Sequence, residues 1–303
     1  MQLNVHPMKL TVIYAFPHNI IEWSTPSSLY EEFRKRGWEI ELINIKDEVG
    51  NLTEKYLKEF TESDSNPDIV LFMDWGQFDS KYLDKKYKPN SFWIQESGDD
   101  PQRFFVNHTL SHKFHYTITP DYNSYLEYIK MGRNAEWISH FADTRIYKPY
   151  DVDAEYVAVC SRGKGHSDFI DTIADLSDGQ ILNKRGFLGE EHGKFLRSGL
   201  IVLQNSRFKE ITRRVFEGAC CGRLVITDRL PIETKMEEML VDNEHVVYYD
   251  SIEDCINKIN YYAENAEERE RIAYNGMQHV LKNYTQIQIV DKLIQKYLEN
   301  QNK

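Results

Sequence analysis

Positive charge is in short supply in this chain. It carries 37 Lys and Arg against 48 Asp and Glu, a formal net charge of −11. A protein that grips nucleic acid through its phosphates needs a cationic face, so this balance argues against general nucleic-acid binding, though not against one local basic pocket. Cysteine is sparse as well. Cys160, Cys220, Cys221 and Cys255 form no CxxC pair, and the adjacent Cys220 and Cys221 cannot easily bridge to each other. Metal-ligand spacing is absent, so no metal site is expected, and the cysteines read as small buried hydrophobes of a reducing cytoplasm. Long apolar runs are missing too. Nothing approaches the ~20 residues of a membrane span, and the N-terminus lacks a signal-peptide pattern. A cytoplasmic protein without a membrane span is the expectation.

What the chain does have is alternation. Its 303 residues, 41% of them hydrophobic, suffice for two domains with real cores. "KLTVIYAF" (9–16) is a β-branched and aromatic run that reads as a buried strand. "STPSSLYEEFRKRG" follows as a helix, with Thr25 as cap, Pro26 in the first turn and Gly37 at its end. "WEIELINIK", "NPDIVLFMDW", "NSFWIQES" and "YTITP" continue the strands, and "DYNSYLEYIKMG" adds a helix. The polar stretch 145–156 reads as a linker. The pattern then restarts with "YVAVCS", "HSDFIDTIADLS", "GQILNKRGFLG", "EEHGKFLRSG", "LIVLQNS", "RRVFEGACC", "RLVITD", "HVVYYDS" and two terminal helices. The last of these has Ile287, Ile289, Val290, Leu293, Ile294 and Leu298 on a broad apolar face.

Strands alternating with helices favour parallel sheets covered on both faces. The expected fold class is therefore α/β, with two Rossmann-like domains facing a central cleft. Residues 1–149 form the N-terminal domain, 150–282 the C-terminal domain, and 283–303 a helix packing back towards the first. In such sheets ligands bind at the carboxyl ends of the strands.

The stretch "RRVFEGACCGRLVITD" (213–228) is the most informative. Arg213 and Glu217 stand at i and i+4 and share a helix face, with Arg214 beside it. A solvated ion pair would be worth only ~0.3–0.5 kcal/mol. Yet the following residues are too apolar and too small for a surface helix. The helix follows a strand, so its N-terminus and arginines suit a phosphate, while a carboxylate one turn on suits vicinal hydroxyls. On the residues alone, a nucleotide site and a structural ion pair both stand.

Residues 185–285 resemble the C-terminal half of GT-B glycosyltransferases of the group 1 type, nearest to the spore-maturation (CgeB-like) subgroup. The likeness runs through "RGFLGEEHGKFLRSGLIVLQNS", "RRVFEGACCGRLVITD" and "EEMLVDNEHVVYYDSIEDCINKINYYAENAEERERIAYNGMQHVLKNYT". It implies sugar transfer from a nucleotide-diphosphate sugar, UDP being the expected nucleotide, to a hydroxyl acceptor that is a glycan, a protein or a small molecule. The sugar nucleotide would be a co-substrate, with no cofactor and no metal. By the same resemblance Glu217 binds the donor ribose and Arg214 faces the diphosphate. Arg162 and Lys164 of "CSRGKGHSDF" add positive charge, and Ser206, Lys209 and Arg213 complete the donor set. Lys209 stands where many retaining members carry a glutamate. A lysine accepts no hydrogen bonds from sugar hydroxyls, which leaves the stereochemical outcome open.

The acceptor must lose a proton, which calls for a base at a strand end. His18, Asp99, Asp100 and His140 are the candidates, each of which also reads as a plain loop or packing residue. A non-catalytic nucleotide-sugar or polysaccharide binder is the alternative of a different class, and an epimerase or phosphorylase relative a third.

Overall fold

The computed structural model describes residues 7–15, 24–47, 49–73, 78–150, 153–161, 171–173, 175 and 180–302. Two compact units emerge, one of residues 1–139 and 289–303, the other of residues 140–288.

The first unit is a six-stranded sheet in the order β2-β1-β3-β4-β5-β6, built from β1 (Lys9–Tyr14), β2 (Glu39–Asn44), β3 (Ile69–Met73), β4 (Phe92–Glu96), β5 (Tyr116–Thr119) and β6 (Ala135–Trp137). Every pairing is parallel. β3 is buried along its whole length, as a strand covered on both faces must be. One face carries Ile13, Ile43, Phe72, Trp93 and Phe114, packed with Leu57 and Phe60 of α2 (Lys55–Glu62).

Helix α1 (Thr25–Lys35) is capped one residue earlier than the sequence suggested: the Ser24 hydroxyl accepts from the Ser27 N–H, with Pro26 in the first turn. Gly37 then takes φ +83°, a left-handed turn that glycine enters without a steric cost. α3 (Phe104–Leu110) and α4 (Tyr122–Lys130) complete the helices before β6, α4 being capped by Asp121, whose carboxylate accepts from the Ser124 N–H at 2.7 Å.

The second unit is a five-stranded parallel sheet in the order β11-β10-β9-β7-β8, from β7 (Tyr156–Ser161), β8 (Ile181–Lys184), β9 (Gly199–Gln204), β10 (Leu224–Asp228) and β11 (Val247–Tyr249). Among the described residues its helices are α5 (Gly189–Arg197), α6 (Arg213–Cys220), the short α7 (Met236–Met239), α8 (Ile252–Glu264) and α9 (Ala266–Asn283), and residues 171–173 and 175, within the helix expected over "HSDFIDTIADLS", are helical as well. α10 (Gln286–Gln301) closes the chain and belongs to the first unit from Ile289 on. The C-terminal region thus holds three helices where two were expected. Asn265 breaks the run at φ −102°, ψ 76°, ending α8 and opening α9.

The apolar stripe of α10 is also narrower than the sequence implied. Ile289, Val290, Leu293 and Tyr297 are buried, whereas Ile287 and Leu298 are exposed. Tyr297 explains the shift. Its ring packs edge-on to Trp38, and its hydroxyl donates to Asp68 at 2.9 Å, so the polar-tipped aromatic takes the place of a leucine. All four cysteines are free and buried. Burial pushes the thiols of Cys220, Cys221 and Cys255 up to about 12, which leaves them protonated and inert. No helix among the described residues is long and apolar enough to cross a membrane.

Candidate functional site

In the second unit the strand order reverses between β7 and β9, and ligands of open parallel sheets bind beyond the carboxyl ends of strands at such a point. The loop after β7, with Arg162 and Lys164, lies outside the described residues. The loop after β9, residues 205–212, is described and leads directly into α6.

That loop is held by Asp228, the last residue of β10. Its carboxylate accepts from the Ser206 N–H at 2.8 Å and from the Ser206 hydroxyl at 2.6 Å, all three groups being buried. Lys209 adopts φ 56°, a backbone conformation uncommon for a side chain of its size, and its ammonium comes within 3.4 Å of the same carboxylate. Glu210 accepts from the Phe208 N–H at 2.6 Å, and its burial raises its carboxyl above the ordinary range. On the strand side, the Tyr249 hydroxyl donates to the Gln204 carbonyl at 3.0 Å and accepts from the Asn205 amide. The loop is thus fixed from β10 and from β11.

Helix α6 begins at Thr212, whose hydroxyl makes no cap bond. It is buried and has no hydrogen-bond partner among the described residues. Helix N-terminal N–H groups carry partial positive charge, and an unengaged hydroxyl at that end adds a further donor.

Glu217 is 6% exposed, which excludes the solvated surface pair. Its Oε1 lies 3.6 Å from Arg213 Nε, and its Oε2 3.9 Å from His192 Nδ1 on α5. His192 Nδ1 is 2.8 Å from the Tyr147 hydroxyl, and both rings are buried. Burial, reinforced by the Glu217 charge, keeps the Tyr147 hydroxyl protonated, while burial holds His192 below its ordinary value. The His192 Nε2 atom is buried without a hydrogen-bond partner among the described residues. Arg213 also lies over the Phe141 ring, 5.1 Å from its centroid. Arg214 has no carboxylate partner among the described residues. The small residues of α6 pack closely: a Cβ on Gly218 would stand 2.9 Å from Val202 Cγ1, and Gly222 turns the chain at φ +74°.

Sequence reasoning missed Tyr147, His192 and Thr212. Tyr147 lies in the stretch taken as a linker, and His192 has no motif of its own. A threonine immediately before two arginines was the one available signal, since threonine is a helix N-cap residue.

The base candidates fall differently. His18 lies outside the described residues. His140 opens the second unit, and burial, with the Arg213 charge beside it, pulls its imidazole down to about 3, so it is neutral and weakly basic. Asp100 is 3% exposed. It accepts from the Asn107 amide at 2.9 Å, the Ser97 hydroxyl at 2.8 Å and the Thr119 hydroxyl at 2.9 Å, so both oxygens are engaged inside the first unit. Asp99 is half-buried in the loop after β4, its carbonyl accepting from the Arg103 N–H at 2.8 Å.

Burial pushes the Asp100 carboxyl up to about 6, against the three bonds that favour its charged form. A folded value above the unfolded ~3.9 means that the fold prefers the neutral acid. The resulting stabilisation is full below pH ~4 and is lost as the pH rises through about 6. Asp100→Asn, which cannot ionise, is expected to remove this component. Urea unfolding at pH 4 and pH 7 should show a difference between wild type and variant that changes by roughly 2–3 kcal/mol across the window. An unchanged difference would mean that Asp100 does not titrate there.

Among the described residues no group of three or more His, Cys, Asp or Glu side chains is gathered as a metal site.

Residues 166–295 match the family model described as Glycosyl transferase-like. No curated protein matches the chain. Solved structures match along nearly its whole length. Anabaena Alr3699/HepE in complex with UDP-glucose is 12% identical, with 96% of this chain and 100% of that chain covered and a TM-score of 0.68. Sucrose-phosphate synthase from Thermosynechococcus elongatus is 11% identical, with coverages of 96% and 98% and a TM-score of 0.66. An alpha-glucosyltransferase in complex with UDP-glucose and DNA containing an abasic site is 10% identical, with coverages of 96% and 100% and a TM-score of 0.66. The fold is that of the GT-B glycosyltransferases, two parallel α/β sheets. Over residues 166–295, which contain the α6 arginines and Glu217, the sequence is glycosyltransferase-like as well.

Proposed function

We propose that this protein is a cytoplasmic, metal-independent glycosyltransferase of the CgeB-like type, moving a hexose-type sugar from a nucleotide-diphosphate donor, UDP in the first instance, to a hydroxyl acceptor. The observation that carries the reading is the arrangement at the switch point of the second unit. Arg213, Arg214 and the Thr212 hydroxyl, unpartnered among the described residues, cluster at the N-terminus of α6, with the buried Glu217 carboxylate one turn on. Negative charge develops on the leaving diphosphate as the glycosidic bond breaks. Fixed guanidinium and helix-end N–H donors stabilise it without reorganising. Ser206 and Lys209 hold the loop beside them, and Arg162 and Lys164 add charge from the loop after β7. Glu217 takes the ribose hydroxyls as acceptor. We assign donor binding to the second unit and acceptor handling to the first. Asp99 is the proton acceptor of this reading, and Asp100 holds its loop. The HepE complex with UDP-glucose supports the choice of nucleotide by its fold.

Incubation with UDP-, GDP- and dTDP-sugars, with free nucleoside diphosphate as readout, tests the reading. Slow donor hydrolysis without acceptor, accelerated by glycan, protein or small-molecule hydroxyls, is expected. Tight donor binding with no turnover under any of these acceptors would instead make the chain a non-catalytic nucleotide-sugar binder.

A further inference from the structure

The amino ends of β5 and β6, opposite to the edge where parallel sheets bind their ligands, enclose a cavity of about 250 Å³ in the first unit. Lys85, Arg133, His112 and His115 line it together with Ser111 and Asn134, and no carboxylate is among its lining residues. In a chain of net charge −11 this is a local reversal of sign.

The donors are left over after the local structure has been satisfied. Arg133 follows Gly132 at the end of α4. The Gly132 and Arg133 N–H groups close the last carbonyls of that helix, those of Ile129 and Tyr128. Arg133 Nε donates to the Ser111 hydroxyl at 3.0 Å, while its two terminal nitrogens have no acceptor among the described residues. Lys85 donates to the carbonyls of His112 at 3.2 Å and Phe114 at 2.9 Å, which leaves one ammonium N–H. His115 Nδ1 accepts from the Trp93 N–H at 3.0 Å, so the neutral ring carries its proton on Nε2 and is a donor there. The carbonyls of the adjoining helix ends, which would repel an anion, are therefore already taken by these same groups.

We propose that this cavity is a binding site for a small tetrahedral oxyanion, orthophosphate or the head of a phosphomonoester. The planar Arg133 fork supplies two parallel donors, Lys85 a point charge and His115 a neutral donor. The volume is below the ~300–1,000 Å³ of pockets that hold drug-sized ligands, so a nucleotide does not fit as a whole. The site is independent of the donor site assigned to the second unit.

The test titrates the full chain with potassium phosphate against potassium chloride at matched ionic strength and pH 7.5. Thermal midpoint and calorimetric binding are the readouts. Wild type, Arg133→Gln, Lys85→Gln and Arg214→Ala are compared, the last lacking an arginine assigned to the donor diphosphate. Phosphate is expected to raise the midpoint beyond chloride in wild type and in Arg214→Ala. Its dissociation constant should rise at least tenfold in Arg133→Gln and in Lys85→Gln. Glycerol 3-phosphate binding tighter than orthophosphate would identify a phosphomonoester as the source, and the reverse order the free ion. The site is overturned if phosphate acts no differently from chloride on wild type. Unchanged affinity in either folded Arg133 or Lys85 variant overturns it too, as does loss of the effect in Arg214→Ala alone. Should one variant fail to fold, the other decides.

Discussion

Arg214→Ala is expected to bind a UDP-sugar about 10–100-fold more weakly than wild type while unfolding at nearly the same temperature. The two halves of this expectation have separate causes. Hydrogen bonds to a charged group contribute roughly 1.5–3 kcal/mol, which is about that fold-change in a dissociation constant. Arg214 has no carboxylate partner among the described residues, so its removal strands no buried charge, and changes of this kind usually stay within about 0.5 kcal/mol of stability. Glu217→Gln is expected to lower stability and donor binding together. It keeps the shape of the side chain but removes the charge that lies 3.6 Å from Arg213. Breaking a fully buried pair costs about 3–5 kcal/mol. Arg213 keeps 24% of its side chain exposed, so a loss nearer 2 kcal/mol is expected, together with weaker donor binding. Calorimetry with UDP-glucose and urea unfolding of both variants measure the two effects. A wild-type UDP-glucose affinity in Arg214→Ala would remove the donor site from this helix.

Much of this site was legible in the sequence because it is local. Arg213, Arg214 and Glu217 lie within one helical turn, so their shared face follows from the 3.6-residue period alone. Strand order follows from β-branched runs and turn residues in the same way, whereas α2 and α3 were not foreseen. The strands were found in order except for β6, whose Ala-Glu-Trp carries no β-branched residue to mark it, unlike the equally short β11. What the sequence could not supply was pairing across distance. Tyr147 and His192 are 45 positions apart and meet only because the segment before β7 packs against α5. The cap of α1 moved from Thr25 to Ser24 because either hydroxyl can cap, and only the backbone angle at residue 24 decides. Asp100 read as a turn residue first and as a base candidate second. Three donors from Ser97, Asn107 and Thr119 converge on it only once β4, α3 and β5 are assembled.

Asp228→Ala carries the largest expected loss of stability. The residue ends β10 as an aspartate on a wholly buried strand, in a position where an acid has no role in the core. Its carboxylate instead reaches across to the end of β9 and takes both the N–H and the hydroxyl of Ser206. Alanine would leave that N–H buried and unsatisfied, and would remove the partner towards which Lys209 bends at φ 56°. An unsatisfied buried donor costs about 1–3 kcal/mol and a lost charge-assisted bond a similar amount, so a decrease of about 3 kcal/mol is expected. For a unit of this size that corresponds to a midpoint lowered by roughly 6–12 °C. Donor binding should fall with it, because the loop from Asn205 to Thr212 sets where α6 begins. Asp228→Asn keeps an acceptor for the Ser206 N–H and a donor for its hydroxyl. It should lose only about 1 kcal/mol and recover most of the affinity, which a purely electrostatic role for the carboxylate would not allow. Thermal unfolding and UDP-glucose titration of the two variants side by side decide whether Asp228 acts through the loop or through its charge.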